Sequence, residues 1–275
     1  MYNLILGDCL KEMREIPSAS IDLIVTDPPY TMTKRGKSCR PNWMPSNMGD
    51  NVFNGDIPDV KAWMGECYRV LKDGTHFYTF CNTNDILRYL ESAKEVGFKM
   101  HNIITMIKDT GMPNRWYLKN CELVLFFRKG KSKPINDMTS RDWIMVNMPT
   151  QKTGKVHITQ KPLAFITKLV TNSSNVGDVV LDPFMGSGTT ALAARNLDRN
   201  SIGYEINSNF MDYYREKVMQ TAKCIFLHEV DKERIDIESA IDQLPFRFVD
   251  VHKLNKQIDV KANTFGSVIE DKNIN

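Results

Sequence analysis

The sequence predicts an α/β protein: a doubly wound, mostly parallel sheet with helices on both faces, an inserted basic segment and a C-terminal extension. Three observations carry this. Short runs rich in Val, Ile and Leu, such as residues 21–25 and 179–181, lack the alternation of a half-exposed strand and read as strands buried on both faces. Helical stretches alternate with these runs, the pattern of βαβ units. Four of the expected strands end in an acid, at Asp8, Asp27, Asp182 and Glu205, and open α/β sheets bind ligands beyond the carboxyl ends of their strands.

In chain order, residues 2–6 read as the first strand and 10–16 as an amphipathic helix behind Gly7-Asp8. Residues 21–26 form the second strand, and Pro28-Pro29 stops it, because proline lacks an N–H and has a fixed φ. Residues 31–57 hold Gly, Pro, Asn, Ser and Met without a period and read as a long loop, a length often tied to function. Pro58 sits in the first turn of a helix to Leu71, ended by Lys72-Asp73-Gly74. A strand over 75–80, a helix over 85–96 capped by Gly97, and strands over 99–107 and 122–127 follow. Residues 129–155 are polar, basic and poorly patterned. Pro162 opens a helix to Val170, and Gly177-Asp178 turns into the strand 179–181. A loop over 182–190 leads to the helix 191–197; a strand over 201–204 ends at Glu205, and Asn207 caps a last helix to Ala222.

The corner Asp27-Pro28-Pro29-Tyr30 presents a carboxylate, two carbonyls and an aromatic ring at the end of a buried strand. Asp27 and the Pro28 carbonyl can each accept one proton of an exocyclic amine while Tyr30 stacks on the ring that carries it. Drawing on both protons frees the nitrogen lone pair. Taken alone, such a tetrapeptide is more often a plain strand-ending turn. The Gly186-Ser187-Gly188 loop lets the backbone come close to a ligand, and Glu205, about twenty residues on, can accept both hydroxyls of a ribose. Gly186 to Ala191 also matches the dinucleotide fingerprint G-x-G-x-x-A, so a NAD-dependent oxidoreductase competes. Against it, the loop begins Asp182-Pro183-Phe184, an acid and an aromatic where a pyrophosphate would come close. Asp182 suits a ligand tail carrying an ammonium group. S-adenosylmethionine has that tail, an adenosine for Glu205 and an exocyclic amine for Asp8.

Hydrophobic content of 42% and charged content of 25% are ordinary for a soluble protein, and 275 residues suit one large domain or one with a small appendage. No apolar stretch approaches the roughly 18–20 residues of a membrane span, and the first residues lack the basic start of a signal peptide; a cytoplasmic location away from membranes is expected. Six cysteines without a C-x-x-C pair and five histidines without ligand spacing make neither a disulfide frame nor a metal expected. Net charge of +3 says little until it is placed. From Lys108 to Lys161 eleven bases face four acids, and Lys34, Arg35, Lys37 and Arg40 cluster after the corner, whereas past Ala222 eight bases meet ten acids. A charged stretch is usually a solvated face, but two basic stretches flanking a pocket for a flat amine favour a polyanion.

Three motifs, Asp27-Pro28-Pro29-Tyr30, Thr159-Gln160-Lys161-Pro162 and Asp182-Pro183-Phe184-Met185-Gly186-Ser187-Gly188-Thr189-Thr190, resemble in this order the β-group of DNA amino-methyltransferases, over about residues 1–222. One departure is His157-Ile158-Thr159, where the family usually has His-Pro-Thr. The resemblance implies a Rossmann-like methyltransferase sheet with a catalytic half over 1–107, a strand and basic DNA-recognition segment over 108–158, a cofactor half over 159–222 and an extension of unassigned role over 223–275. It implies transfer of a methyl group from S-adenosylmethionine to the N6 amine of adenine in double-stranded DNA at a specific sequence, with the base flipped out of the stack. Asp27, Pro28 and Tyr30 would be catalytic. Asp8 would meet the cofactor adenine and Glu205 its ribose, with Phe184, Gly186, Ser187, Gly188, Thr189 and Thr190 in the methionine loop and Lys161 and Asp182 beside them. DNA contacts would fall to Lys34, Arg35, Lys37 and Arg40, and to Arg128, Lys129, Lys131, Lys133 and Arg141. Asp rather than Ser at the head of the corner favours adenine over cytosine-N4. The cytosine enzyme, the NAD oxidoreductase and a DNA-binding module without catalysis stay as alternatives. A second copy of the chain and a cognate restriction endonuclease are left open as further partners.

Overall fold

The computed structural model describes residues 2–29, 57–112, 117–147, 161–208 and 224–226. The chain divides into two units, residues 2–227 and residues 228–275 with Met1; the second lies outside the described residues. In the first, the strands are β1 (Tyr2–Leu6), β2 (Ile21–Thr26), β3 (Leu71–Cys81), β4 (Lys99–Met112), β5 (Lys119–Arg128), β6 (Trp143–Val146), β7 (Val179–Asp182), β8 (Asn200–Glu205) and β9 (Cys224–Phe226). The helices are α1 (Cys9–Glu12), α2 (Val60–Val70), α3 (Ile86–Val96), α4 (Leu163–Ser173) and α5 (Thr189–Asn196).

The strands form one sheet in the order β6-β4-β5-β3-β2-β7-β8-β1-β9. The chain lays down β1, leaves two places empty, and starts again at β2. It then builds outward to β6 and returns with β7 and β8 to fill the gap. Only β5 runs antiparallel to its neighbours β3 and β4. Residues 113–118 join it to β4, and so short a connection cannot make a parallel crossover.

The sequence of β2 explains its double burial. Leu23 and Val25 enter the core beneath α4 and α5 with Phe165, Leu169, Val180 and Ala193. Ile24 enters the opposite core beneath α1, α2 and α3 with Met13, Trp63, Phe77 and Leu181. A strand covered on both sides has no polar face, hence the unbroken apolar run. Gly97 (φ 106°) ends α3 in the left-handed conformation, as its position after Val96 predicts.

Several elements differ in detail from the sequence reading. α1 is a single turn that tightens into a 3-10 turn over Met13–Glu15. Asp59, not Pro58, opens α2: its Oδ2 accepts the Ala62 N–H at 2.8 Å, as an N-cap carboxylate does. Residues 72–74, expected as a helix stop, belong to β3. β6 falls in the poorly patterned stretch 129–155, and β9 at the start of the extension for which no element was expected. The long loop expected over 31–57 lies outside the described residues up to 56, as does the last helix from 209 onward. No helix among the described residues is long and apolar enough to cross a membrane.

Candidate active site

The parallel strands bring their carboxyl ends to one edge of the sheet. There Leu6 pairs with Glu205, Asp182 with Gly203 and Thr26 with Thr79. Asp27 is the first residue beyond the β2 ladder, and the prolines after it prevent the strand from continuing. Its Oδ2 pairs with Lys161 Nζ at 2.8 Å, whereas its Oδ1 is buried and has no hydrogen-bond partner among the described residues. A buried acceptor without a donor costs about 1–3 kcal/mol, more for a charged group. The corner therefore carries an acceptor that a ligand N–H would satisfy.

Lys161 does not stop at Asp27. Its ammonium is also 2.8 Å from Glu122 Oε2 and lies 4.7 Å from the centroid of the Phe80 ring. Glu122 Oε1 in turn accepts from Lys108 Nζ at 3.1 Å. Burial pushes the Asp27 carboxyl above its ordinary value, and Lys161 offsets only part of that rise. Burial also acts to raise Glu122, but Lys161 and Lys108 outweigh it and hold that carboxyl below its ordinary value.

On the other side of β2, Asp182 Oδ1 accepts from Thr26 Oγ1 at 2.7 Å and from the Phe184 N–H at 3.1 Å. Burial pushes its carboxyl up to about 6, against the Thr26 and Thr190 hydroxyls and the Phe184 N–H. This carboxylate ties β2 to β7 and turns the loop behind it; its donors are internal, where the sequence suggested an external ammonium. The loop then passes through Gly186 (φ 51°) and Gly188 (φ 76°), both left-handed. A Cβ on Gly186 would meet no atom within 4 Å, so the backbone there faces open space. The Gly186 N–H donates to Glu205 Oε2 and the Asn207 N–H to Glu205 Oε1, each at 2.8 Å. Burial raises the Glu205 carboxyl, and the Asn207, Gly186 and Ile206 N–H groups oppose it. Each carboxylate oxygen has a second lone pair, so a pair of hydroxyls can still bind.

Asp8 stands beside Glu205, since the Gly7 N–H donates to the Glu205 carbonyl at 2.9 Å; one Asp8 oxygen accepts the Leu10 N–H at 3.0 Å and caps α1. Phe184 packs edge-on against Trp63 with ring centroids 5.4 Å apart, which fixes the loop on α2. Ser187 Oγ lies 3.3 Å from Thr189 Oγ1, and Thr189 and Thr190 are buried at the start of α5. The donors and acceptors fit a nucleoside with an amino-acid tail: a held carboxylate for a diol, a second acid nearby and a glycine loop open to a ligand. A shallow apolar depression of about 460 Å³ over β4 and β6, lined by residues such as Ile107, Trp143 and Met145, touches none of these groups.

The structure thus brings Asp8, Asp27, Lys161, Asp182, the glycine loop and Glu205 to one edge. Tyr30, Lys34, Arg35, Lys37 and Arg40 lie outside the described residues. The other basic candidates are elsewhere. Arg128 pairs with His76, three register positions or about 10 Å down the sheet from the Thr79–Leu125 pair beside the corner. Lys129, Lys131 and Lys133 follow at that opposite edge, where Lys129 Nζ donates to the Tyr68 and Leu71 carbonyls at 2.6 Å each. Arg141 lies over the Trp143 ring, 4.9 Å from its centroid, at the outer margin. Two participants have no motif: Glu122 and Lys108. The available signal was Glu122 itself, an acid two residues before the buried run Val124–Phe127 on the same strand.

A family model described as DNA methylase, of the N6/N4 kind, matches residues 21–216. The type II methyltransferase M.HpaI of Haemophilus parainfluenzae is 31% identical over 239 residues, covering 78% of this chain and 73% of its own. The type II methyltransferase M2.MboI of Moraxella bovis is 30% identical over 237 residues, with coverages of 78% and 87%. Among solved structures, the M1.HpyAVI–SAM complex is similar with a TM-score of 0.62 at 26% identity, over 78% of this chain and 98% of that one. The PvuII DNA methyltransferase, named as cytosine-N4-specific, has a TM-score of 0.62 at 17% identity over 81% and 90%, a likeness of fold alone.

Proposed function

The chain belongs to the DNA methylase family, and on that premise we propose that it methylates the N6 amine of adenine within a specific sequence of double-stranded DNA. The observation that carries the reading is Asp27 Oδ1, a buried acceptor without a donor among the described residues, whose sister oxygen is taken by Lys161. An exocyclic amine brings the donor it lacks.

S-adenosylmethionine supplies an electrophilic methyl group. Glu205 holds its ribose hydroxyls, Asp8 its adenine amine and residues 184–190 its methionine part; the open space at Gly186 supports a close approach of backbone to ligand. Asp27 accepts a hydrogen bond from one N–H of the target amine and the Pro28 carbonyl from the other, which orients the nitrogen lone pair toward the methyl group. As the N–C bond forms the methyl–sulfur bond breaks, releasing S-adenosylhomocysteine, and one amine proton passes to solvent. No covalent intermediate with the protein is needed. The target amine is stacked inside a duplex, so the base is flipped at a cost of a few kcal/mol and Tyr30 stacks on it. Asp at the head of the corner supports adenine over cytosine.

DNA meets the edge that carries Asp27. Lys34, Arg35, Lys37 and Arg40 follow the corner in sequence and supply phosphate contacts, whereas Arg128, Lys129, Lys131 and Lys133 sit at the other edge and do not. The chain acts in the cytoplasm with a cognate restriction endonuclease, a pairing the type II names of its relatives support. The test is incubation with duplex DNA and S-adenosylmethionine followed by nucleoside mass spectrometry, with long-read modification calling for the sequence. N6-methyladenine is expected. N4-methylcytosine in its place would reassign the base, and bound but unmodified DNA would overturn the reading.

A further inference from the structure

We propose that Glu122 is a positioning residue for methyl transfer, acting through Lys161 to hold Asp27 with Oδ1 turned toward the target amine. The inference rests on the function proposed above. Glu122 is on β5, and β3 lies between it and the strand that carries Asp27. Lys161 spans that gap from the residues leading into α4: Asp27 Oδ2 lies on one side at 2.8 Å and Glu122 Oε2 on the other at 2.8 Å. The Phe80 ring, 4.7 Å from the ammonium, closes a third side. Lys108 at 3.1 Å occupies the second oxygen of Glu122, so that carboxylate is itself held from behind.

The arrangement has two physical consequences. A lysine facing one carboxylate alone can swing between its two oxygens; a second carboxylate on the far side fixes the ammonium on Oδ2. Oδ1 is then left as the acceptor, as observed. Glu122 also shares the ammonium charge, so that Lys161 does not fully cancel Asp27, and Lys161 together with Lys108 keeps Glu122 ionised within the protein. Among the described residues, the charged groups that bear on Asp27 are Lys161 before α4 and Glu122 on β5, with Lys108 on β4 behind Glu122; Asp27 in turn bears on Asp182 of β7 and Tyr89 of α3.

The experiment is single-turnover methylation of a duplex carrying the recognised sequence, across pH, for the full-length wild type, Glu122→Gln and Lys161→Met. Calorimetric titration with S-adenosylmethionine accompanies it. Transfer needs ionised Asp27, so the acid limb of the rate reports that carboxyl. Lys161→Met removes the neighbour that lowers it, and the acid limb moves to higher pH. Glu122→Gln removes a neighbour that raises it, and the limb moves to lower pH. On the plateau both variants slow by about tenfold to a hundredfold, the size of a small misplacement, with cofactor affinity unchanged. Limbs that stay in place, or that move together, would overturn the inference. So would a fall in cofactor affinity that accounts for the slower rate. Should Lys161→Met fail to fold, the direction of the Glu122→Gln limb decides alone. A wild type that methylates no DNA would overturn the proposed function, and this inference with it.

Discussion

The two edges of the sheet carry the same kinds of side chain and leave them in opposite states. At the edge where β3 begins, Lys129 donates to the carbonyls of Tyr68 and Leu71 and lies 4.6 Å from the Tyr68 ring centroid. It thereby caps the last turn of α2, where helical carbonyls lack partners and a cation is favoured. Asp22 takes Lys72 on one oxygen at 2.5 Å and the Val179 N–H on the other at 3.0 Å. His76 joins Ser173 to the Lys133 carbonyl, and burial pushes its imidazole below the ordinary value. At the other edge Asp27 is satisfied on one oxygen only, and Glu205 is held by two N–H groups that leave lone pairs over. Charge count does not separate the edges. Unfilled carboxylate capacity does, although Arg128 Nε and Asn172 Oδ1 at the far edge are also buried without a partner among the described residues.

The contrast can be broken most severely at Asp27. Asp27→Ala should lower the methyl-transfer rate by about a thousandfold or more while cofactor affinity stays near wild type, because the lost acceptor faces the target amine. Single-turnover rates and calorimetry measure the two separately, and a variant with near wild-type turnover would erase the distinction between the edges.

Asp182 lies at the active edge yet is filled from within, so its signature should be stability. Its carboxyl is raised by burial from 3.8 to about 6. A carboxyl raised on folding favours the folded state when protonated. Its contribution is therefore full below about pH 4, falls as pH climbs through about 6, and is flat above. Asp182→Asn removes that dependence, and the variant should gain on wild type by on the order of 3 kcal/mol between about pH 4 and pH 7. Denaturant melts at the two pH values check this; parallel changes would mean the carboxyl titrates normally.

Glu205→Ala should weaken S-adenosylmethionine binding by about 2–3 kcal/mol, since two charge-assisted hydrogen bonds are lost. Equal calorimetric affinities would remove Glu205 from the site. The smallest effect belongs to the far edge. Lys129→Met should lower stability by about 1–2 kcal/mol and leave DNA affinity and its salt slope as they are. A salt slope reduced by about 0.9 would instead make Lys129 a phosphate contact.

The strand-ending acids are legible in sequence because buried strands are short apolar runs and their punctuation is local. The corner and the glycine loop are legible for the same reason. Other features are not local. Lys161 reads as a neighbour of the methionine loop, yet its ammonium is held by residues of β2 and β5, and no periodicity encodes that pairing. β6 has four residues between polar flanks, too few to show an alternation. The basic run from Arg128 to Lys133 has the composition of a phosphate contact, and composition is blind to whether a lysine meets a phosphate or a carbonyl.

The order in which the sheet is filled has a consequence for how the chain is made. β1 and β2 leave the ribosome before β7 and β8 but stand on either side of the two places that those strands fill. Until residues 179–205 have been synthesised, the inner edges of β1 and β2 are open ladders, and open ladders invite pairing with other chains. Joining β2 to β7 closes a contact of long sequence separation, the kind that slows folding. The seam that closes late is the one sealed by Thr26 and Asp182, directly beneath the site. A nascent chain stalled before residue 182 already holds Asp27 and its prolines but not the floor on which they stand.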